Sequence, residues 1–335
     1  MVKLLALDLD GTTLNSKGKI TIPNKEALKK WTSVGNLCMF ATGQPFNSAL
    51  EHSKSVGYGC NFLTAAGGTI VARRMKHNLQ WKIQNELSSF MTGKFIANIA
   101  RELRTVYNDE NNDMFEYWID FGDSSAYSSP KFHTFNSDLA SIGDNSRNTP
   151  NKERCIYLIE NFFEEETKVL GKPREEVAQV FILKRGVKST TFLPMVENII
   201  KQIGLENEID AGLGGLDSRD LSEGCVNLKR KGTSKAKTIL KVLDILKHEN
   251  NINNNSNNNV NEIDCIAIGD GSNDAEMLKN ANISICVNNA IPMIKNLVQY
   301  VLPKTNDEHA IAYFINDYLT NDMKYQQQGN NKSKL

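Results

Sequence analysis

Short unbroken apolar runs alternate with amphipathic stretches near both ends of the chain. Lys3-Leu-Leu-Ala-Leu-Asp8 has the pattern of a fully buried strand, and Asp10-Gly11-Thr12-Thr13 turns the chain after it. Residues 23–34 place Ala27, Leu28, Trp31 and Val34 at helical spacing, and Gly35 ends the run. Leu37-Cys-Met-Phe-Ala41 is a second buried strand, running into Thr42-Gly43. Strand, helix and strand within about 40 residues predict a βαβ unit of a parallel sheet. The pattern returns late in the chain. Residues 233–247 form a strongly amphipathic stretch, and 264–268 an apolar run that ends at Gly269-Asp270. A helix is expected from Asp274 and a further strand over Ile283–Val287.

The middle of the chain breaks this rhythm. Phe115–Ile119, Cys155–Ile159 and Val180–Leu183 are strand-like, while 120–153 is rich in Ser, Asp and Asn. Residues 84–222 therefore predict an inserted α+β module with long loops, set between two pieces of one α/β core, 1–83 and 223–320. Residues 250–261 hold nine Asn and cannot bury enough surface to order themselves, so a surface loop is expected there. Residues 321–335 are expected to be a disordered tail.

Composition narrows the function classes. The 335 residues have room for two domains. Lys plus Arg number 39 and Asp plus Glu number 39, which leaves no general electrostatic case for nucleic acid or an anionic membrane. No apolar run approaches the roughly 18 residues of a membrane span. The short apolar stretch before Asp8 is not expected to act as a secretion signal. Six cysteines are scattered without a CxxC pair and are expected to be buried thiols in a reducing, cytoplasmic compartment. The alternative address is peroxisomal, from Ser333-Lys334-Leu335. Nothing in the sequence bears on the oligomeric state.

Four short segments carry the chemistry, each just past an apolar strand or at a helix start, where open α/β sheets bind ligands. In Asp8-Leu-Asp10 the two carboxylates, at i and i+2 on an extended chain, share a face. One carboxylate can attack phosphorus, and the second can protonate a leaving oxygen and then deprotonate water. Thr42-Gly43 offers a hydroxyl and free backbone N–H groups to phosphate oxygens. Lys235 follows Thr233-Ser234, either of which can cap a helix, and a Lys in a first helical turn opposes the helix dipole. That local cost points to another task, such as neutralising a phosphate. Gly269-Asp270-Gly271-Ser272-Asn273-Asp274 sets carboxylates and an amide in a tight loop suited to a hard cation. Each segment alone is as readily a solvated turn or a surface lysine. Converged, Asp8, Asp10, Asp270 and Asp274 resist joint ionisation unless a divalent cation and Lys235 relieve them, and Mg²⁺ suits such a site best.

Asp8-Leu-Asp-Gly-Thr-Thr-Leu14, Ala41-Thr42-Gly43, Lys235 and Gly269–Asp274, in this order, resemble motifs I to IV of the haloacid dehalogenase superfamily. The large insertion between motifs II and III resembles the Cof-type phosphatases, and Asn289-Ala290 and Asn306–Ala310 also match in place. The resemblance implies a Rossmann-like parallel-sheet core with an inserted α+β C2-type cap. It implies Asp8 as nucleophile and Asp10 as general acid and base. Mg²⁺ would be held by Asp8, the backbone oxygen of Asp10 and Asp270, with Asp274 supporting the metal site. Thr42, Gly43, Lys235 and Asn273 would hold the phosphoryl group. The family usually has Arg where Gln44 stands, Asn-Gly-Ala where Ala66-Gly67-Gly68 stands, and Gly where Ala236 stands. The expected activity is a Mg²⁺-dependent phosphatase acting on small phosphorylated metabolites, sugar phosphates first. A phosphomutase on the same scaffold is the alternative. A non-catalytic binding protein would be expected to have lost Asp8, Asp10, Lys235 or Asp270, and all four are present.

Overall fold

The structure is a computed structural model that describes residues 2–75, 79–108, 114–122, 125–127, 154–155, 163, 175–214, 223–253 and 263–332. The chain divides into two compact units. One is Met1–Ser88 with Ser234–Leu335, and the other is Ser89–Thr233.

The first unit starts with β1 (Lys3–Leu7), α1 (Ile22–Ser33), β2 (Leu37–Ala41), α2 (Phe46–Ser55), β3 (Phe62–Ala65), β4 (Ile70–Arg74) and β5 (Trp81–Ile83). The second unit comprises α3 (Gly93–Tyr107), β6 (Phe115–Asp120), β7 (Ser125–Tyr127), β8 (Arg154–Cys155), β9 (Gln179–Arg185), α4 (Ser189–Gln202), β10 (Ile209–Leu213) and β11 (Glu223–Arg230). The chain returns to the first unit with α5 (Lys235–Asn253), β12 (Asp264–Gly269), α6 (Ala275–Asn280), β13 (Ile283–Cys286), α7 (Pro292–Leu297), β14 (Tyr300–Val301) and α8 (Ala310–Lys332).

The strands of the first unit form one sheet in the order β14-β13-β12-β1-β2-β3-β4-β5. From β14 to β3 the pairing is parallel, with Leu5 opposite Ile266 on one side and Cys38 on the other. β1 is buried along its whole length, which explains its unbroken apolar run. The connections leave β1 toward β2 and leave β12 toward β13, so the strand order reverses between β1 and β12. Asp8, Thr42 and Asp270 all lie just past the carboxyl ends of these strands, at that switch point. Trp31 of α1 is fully buried, donates its Nε1–H to Leu37 O at 2.8 Å, and meets Tyr318 of α8 edge-on at 5.6 Å.

The second unit is built on a mostly antiparallel sheet, in the order β10-β11-β9-β6-β7-β8. Alternate residues Phe115, Tyr117, Ile119, Val180, Ile182, Val226 and Leu228 pack in one core with α3 and α4. This is the expected fold class: a parallel-sheet α/β core with an α+β module inserted in its chain.

The boundaries differ from the sequence reading. Residues 223–230, expected in the core, form β11, which pairs antiparallel with β9 and β10 in the second unit. Its period-two alternation belongs to a half-buried sheet, and the chain leaves that sheet only at Gly232-Thr233. Residues 84–88, expected in the module, stay with the first unit, where Ser88 Oγ accepts the Val71 N–H at 3.1 Å. Of the Asn-rich stretch, residues 250–253 continue α5, and 254–261 lie outside the described residues. The expected tail is helical in backbone through Lys332, with helical geometry interrupted at Asn321. Helix hydrogen bonds are local, and Gln326-Gln327-Gln328 are residues of good helix propensity. Ser333-Lys334-Leu335, residues 156–160 and most of 120–153 lie outside the described residues. Cys38, Cys60, Cys225, Cys265 and Cys286 are buried free thiols, as expected, and the Cys155 side chain is not among those described. Among the described residues no helix is long and apolar enough to cross a membrane.

Gly68 fixes the distance between the β3–β4 turn and the start of α5. Its φ is +107°, and a Cβ there would run into the backbone of Ser234. Gly68→Ala is expected to lower stability by about 2 kcal/mol or more, from the left-handed backbone and the clash together, read as a lower urea midpoint.

Candidate active site

Asp8 continues β1 by one residue, donating its N–H to Ile268 O of β12 at 3.0 Å. The chain then turns sharply. The Leu14 N–H closes the turn on Leu9 O at 2.8 Å, and Gly11 takes φ +71°. A Cβ on Gly11 would strike the Asp270 carboxylate, so glycine is required there for space as well as for backbone angle. The turn buries Asp8 and exposes Asp10. Asp10 is nonetheless close enough for its carboxylate to add to the negative field on Asp8 and Asp270. It also meets Gln44, whose Nε2–H donates to Asp10 Oδ1 at 2.7 Å.

Lys235 opens α5, and Ser234 caps the helix by accepting the Lys237 N–H at 3.2 Å. Thr233, the other candidate cap, has no hydrogen-bond partner for its hydroxyl among the described residues. Lys235 Nζ lies 2.5 Å from Asp8 Oδ1 and 2.7 Å from Asp274 Oδ1, with all three side chains 5% exposed or less. Two buried carboxylates thus outweigh the unfavourable helix dipole. The second oxygen of Asp274 accepts the N–H groups of Asp270 at 3.0 Å and Gly271 at 3.1 Å. Asp274 therefore spans from the ammonium to the loop that carries Asp270. Thr12 Oγ1 donates to Asp270 Oδ1 at 2.7 Å.

The charges in this cluster do not balance. Carboxylate oxygens of Asp8, Asp270 and Asp274 lie within 4.8 Å of one another. Burial first, then the Asp274 carboxylate, push Asp8 well above the usual carboxylate range, against the pull of Lys235. Burial pushes Asp270 up to about 6, against the Thr12 hydrogen bond and with help from Asp274. Burial disfavours the charge on Lys235, but the Asp8 and Asp274 carboxylates overcome it and hold the ammonium protonated. One ammonium among three carboxylates leaves excess negative charge. A divalent cation with oxygen ligands fits that donor set, with Asp8, Asp270 and Asp274 offering oxygens to it. The Asp10 carboxylate stands outside this group.

Thr42 is fully buried, with its N–H on Thr64 O and its Oγ1 accepting the Gln44 N–H, both at 3.0 Å. Gly43 is exposed, with open space around its Cα. Asn273 is exposed in the short turn before α6.

Several residues shape the site without having been singled out as site residues. Thr13 Oγ1 donates to the Asp8 carbonyl at 2.6 Å. Asn289 donates from Nδ2 to Gly11 O at 2.7 Å, and Asn306 donates from Nδ2 to Leu14 O at 2.9 Å. The Asn306 N–H joins the two by donating to Asn289 Oδ1 at 2.9 Å. These two segments, which sit where the family carries similar ones, brace the turn after β1. On the other side, the Ala66 N–H reaches Gln44 O at 2.8 Å and the Gly67 N–H reaches Thr42 O at 3.0 Å. Ala66 itself sits at φ +51°.

The family model for haloacid dehalogenase-like hydrolases matches residues 5–315. The 5-amino-6-(5-phospho-D-ribitylamino)uracil phosphatase YwtE of Bacillus subtilis is 26% identical over 324 residues, covering 95% of this chain and 99% of its own. Among solved structures, the phosphatase BT1666 of Bacteroides thetaiotaomicron superposes with a TM-score of 0.64 at 20% identity, over 95% of each chain. The subclass IIB sugar phosphatase BT4131 superposes with a TM-score of 0.63 at 16% identity, over 95% of this chain and 99% of its own. The chain belongs to the haloacid dehalogenase-like hydrolases. The enzyme class read from the sequence, a phosphatase of this family, agrees with the name of its Bacillus relative.

Lys235→Met leaves Asp8 and Asp274 buried and facing each other without their cation. The variant is expected to lose about 3–5 kcal/mol of stability at neutral pH, read by urea unfolding in the absence of divalent ions.

Proposed function

We propose that this chain is a Mg²⁺-dependent phosphatase that hydrolyses small phosphorylated metabolites through an aspartyl-phosphate at Asp8. The observation that carries this reading is the buried bridge from Asp8 through Lys235 to Asp274, beside Asp270. It presents a carboxylate in a fixed position next to a cation, as attack on a phosphate dianion requires.

Mg²⁺ would be held by Asp8, Asp270 and the backbone oxygen of Asp10, with Asp274 behind them, and would neutralise charge on the phosphoryl oxygens. Lys235, Thr42, the Gly43 backbone and Asn273 are the groups for the remaining phosphoryl oxygens. In the first half-reaction an oxygen of Asp8 bonds to phosphorus as the bond to the leaving oxygen breaks, and Asp10 gives that oxygen its proton. In the second, water attacks the phosphorus and gives a proton to Asp10, and the Asp8 carboxylate leaves. The sum is phosphate ester plus water to alcohol plus inorganic phosphate.

For the substrate, sugar phosphates and related polyol phosphates are the class we favour. The Bacillus relative is named for a phosphoribityl compound, and a sugar phosphatase shares the fold. The buried free thiols suit a reducing cytoplasm.

The test is release of inorganic phosphate from p-nitrophenyl phosphate and from a panel of sugar phosphates, with Mg²⁺ and with chelator. Asp8→Ala is expected to lose at least about a hundredfold in rate. A rate that survives in Asp8→Ala, or is indifferent to chelator, overturns the reading. An absolute requirement for a sugar bisphosphate would assign the mutase reaction instead.

A further inference from the structure

Asp10 is exposed at the edge of the site, within electrostatic reach of Asp8 and Asp270. Among the described residues, the side chain that holds it is Gln44. That side chain is not a loose surface amide. The Gln44 N–H donates to Thr42 Oγ1 at 3.0 Å, and its carbonyl accepts the Ala66 N–H at 2.8 Å. Its side-chain Oε1 accepts the hydroxyl of Ser48 in α2 at 3.0 Å, and its Nε2–H reaches Asp10 Oδ1 at 2.7 Å. Backbone and side chain are thus both tied down.

The direction of this relay has a chemical consequence. A hydroxyl donor on Oε1 and a carboxylate acceptor on Nε2 set the amide one way round. With an N–H donor already on Oδ1, a proton on Asp10 belongs on Oδ2. Once that proton has left, Oδ2 is the oxygen free to take one back. The amide does this without adding a charge beside Asp10, at a position where the family usually carries Arg.

We propose that Gln44, steadied by Ser48, is the positioning residue for proton transfer: it engages Asp10 Oδ1 and reserves Oδ2 for the leaving oxygen and the attacking water. This rests on the phosphatase reading. The step it serves is the one already balanced: the proton passes from Asp10 Oδ2 to the leaving oxygen as the phosphorus–oxygen bond breaks, and returns to Oδ2 from water.

Leaving-group dependence tests it. Nitrophenolate departs as a stable anion and needs no proton, whereas a sugar alkoxide does. Comparing kcat/KM confines the measurement to the steps through the first phosphoryl transfer. In Gln44→Leu and in Gln44→Glu, which keeps the shape but not the donor, kcat/KM for glucose 6-phosphate or another accepted sugar phosphate is expected to fall about 10–100-fold. The loss on p-nitrophenyl phosphate is expected to be smaller by about tenfold. Ser48→Ala should move the same ratio in the same direction by a smaller factor, and it carries the test if the Gln44 variants do not fold. Equal losses on both substrates, or a wild-type ratio in Gln44→Glu, overturn the proposal. Wild-type protein that releases phosphate from neither substrate overturns the phosphatase reading instead.

Discussion

The contact on which the rest of the site depends is Lys235 held between Asp8 and Asp274 in a buried position. Three ionisable groups with almost no access to water are tolerable only together. The ammonium needs both carboxylates to stay charged, and neither carboxylate is stable there without it. This forces three separate pieces of the chain into one arrangement: the end of β1, the first residue of α5 and the loop after β12. The features around them serve that closure. Gly68 lets the β3–β4 turn approach the start of α5. Gly11 lets the turn after β1 pass against Asp270. Asp274 uses its second oxygen to fix the amides of Asp270 and Gly271.

The same cluster explains why the site calls for a cation without one having to be assumed. Three carboxylates share one ammonium, and burial raises the cost of each remaining negative charge. A small divalent ion held by these oxygens would lower that cost.

Much of the core was legible in the sequence because its physics is local. Apolar runs that stop at Asp8, Thr42 and Asp270 mark strands buried on both faces, and the residues after them must emerge at one end of the sheet. Lys235 was legible from its poor fit to a helix start. What escaped had a non-local cause. Asn289 and Asn306 act through single hydrogen bonds to carbonyls nearly 300 positions away in sequence, and no periodicity records such a bond. The difference in burial between Asp8 and Asp10 depends on one turn, which no periodicity records. β11 belongs to the second unit because its partners in space are β9 and β10, and such pairing leaves no mark on where an insertion ends in the sequence. The helical backbone past Asn321 reflects local helix propensity, which the polar composition of the stretch concealed.

The brace formed by Asn289 and Asn306 also bears on the order in which the molecule is made. The turn that carries Asp10 and Gly11 is synthesised before its supports, which follow it by more than 270 residues. Until then the early segment holds buried-type carboxylates with neither counter-ion nor scaffold. A nascent chain of this topology cannot mature its chemistry piece by piece. Closing loops this long is entropically slow, and the brace forms only when these two distant segments have found each other.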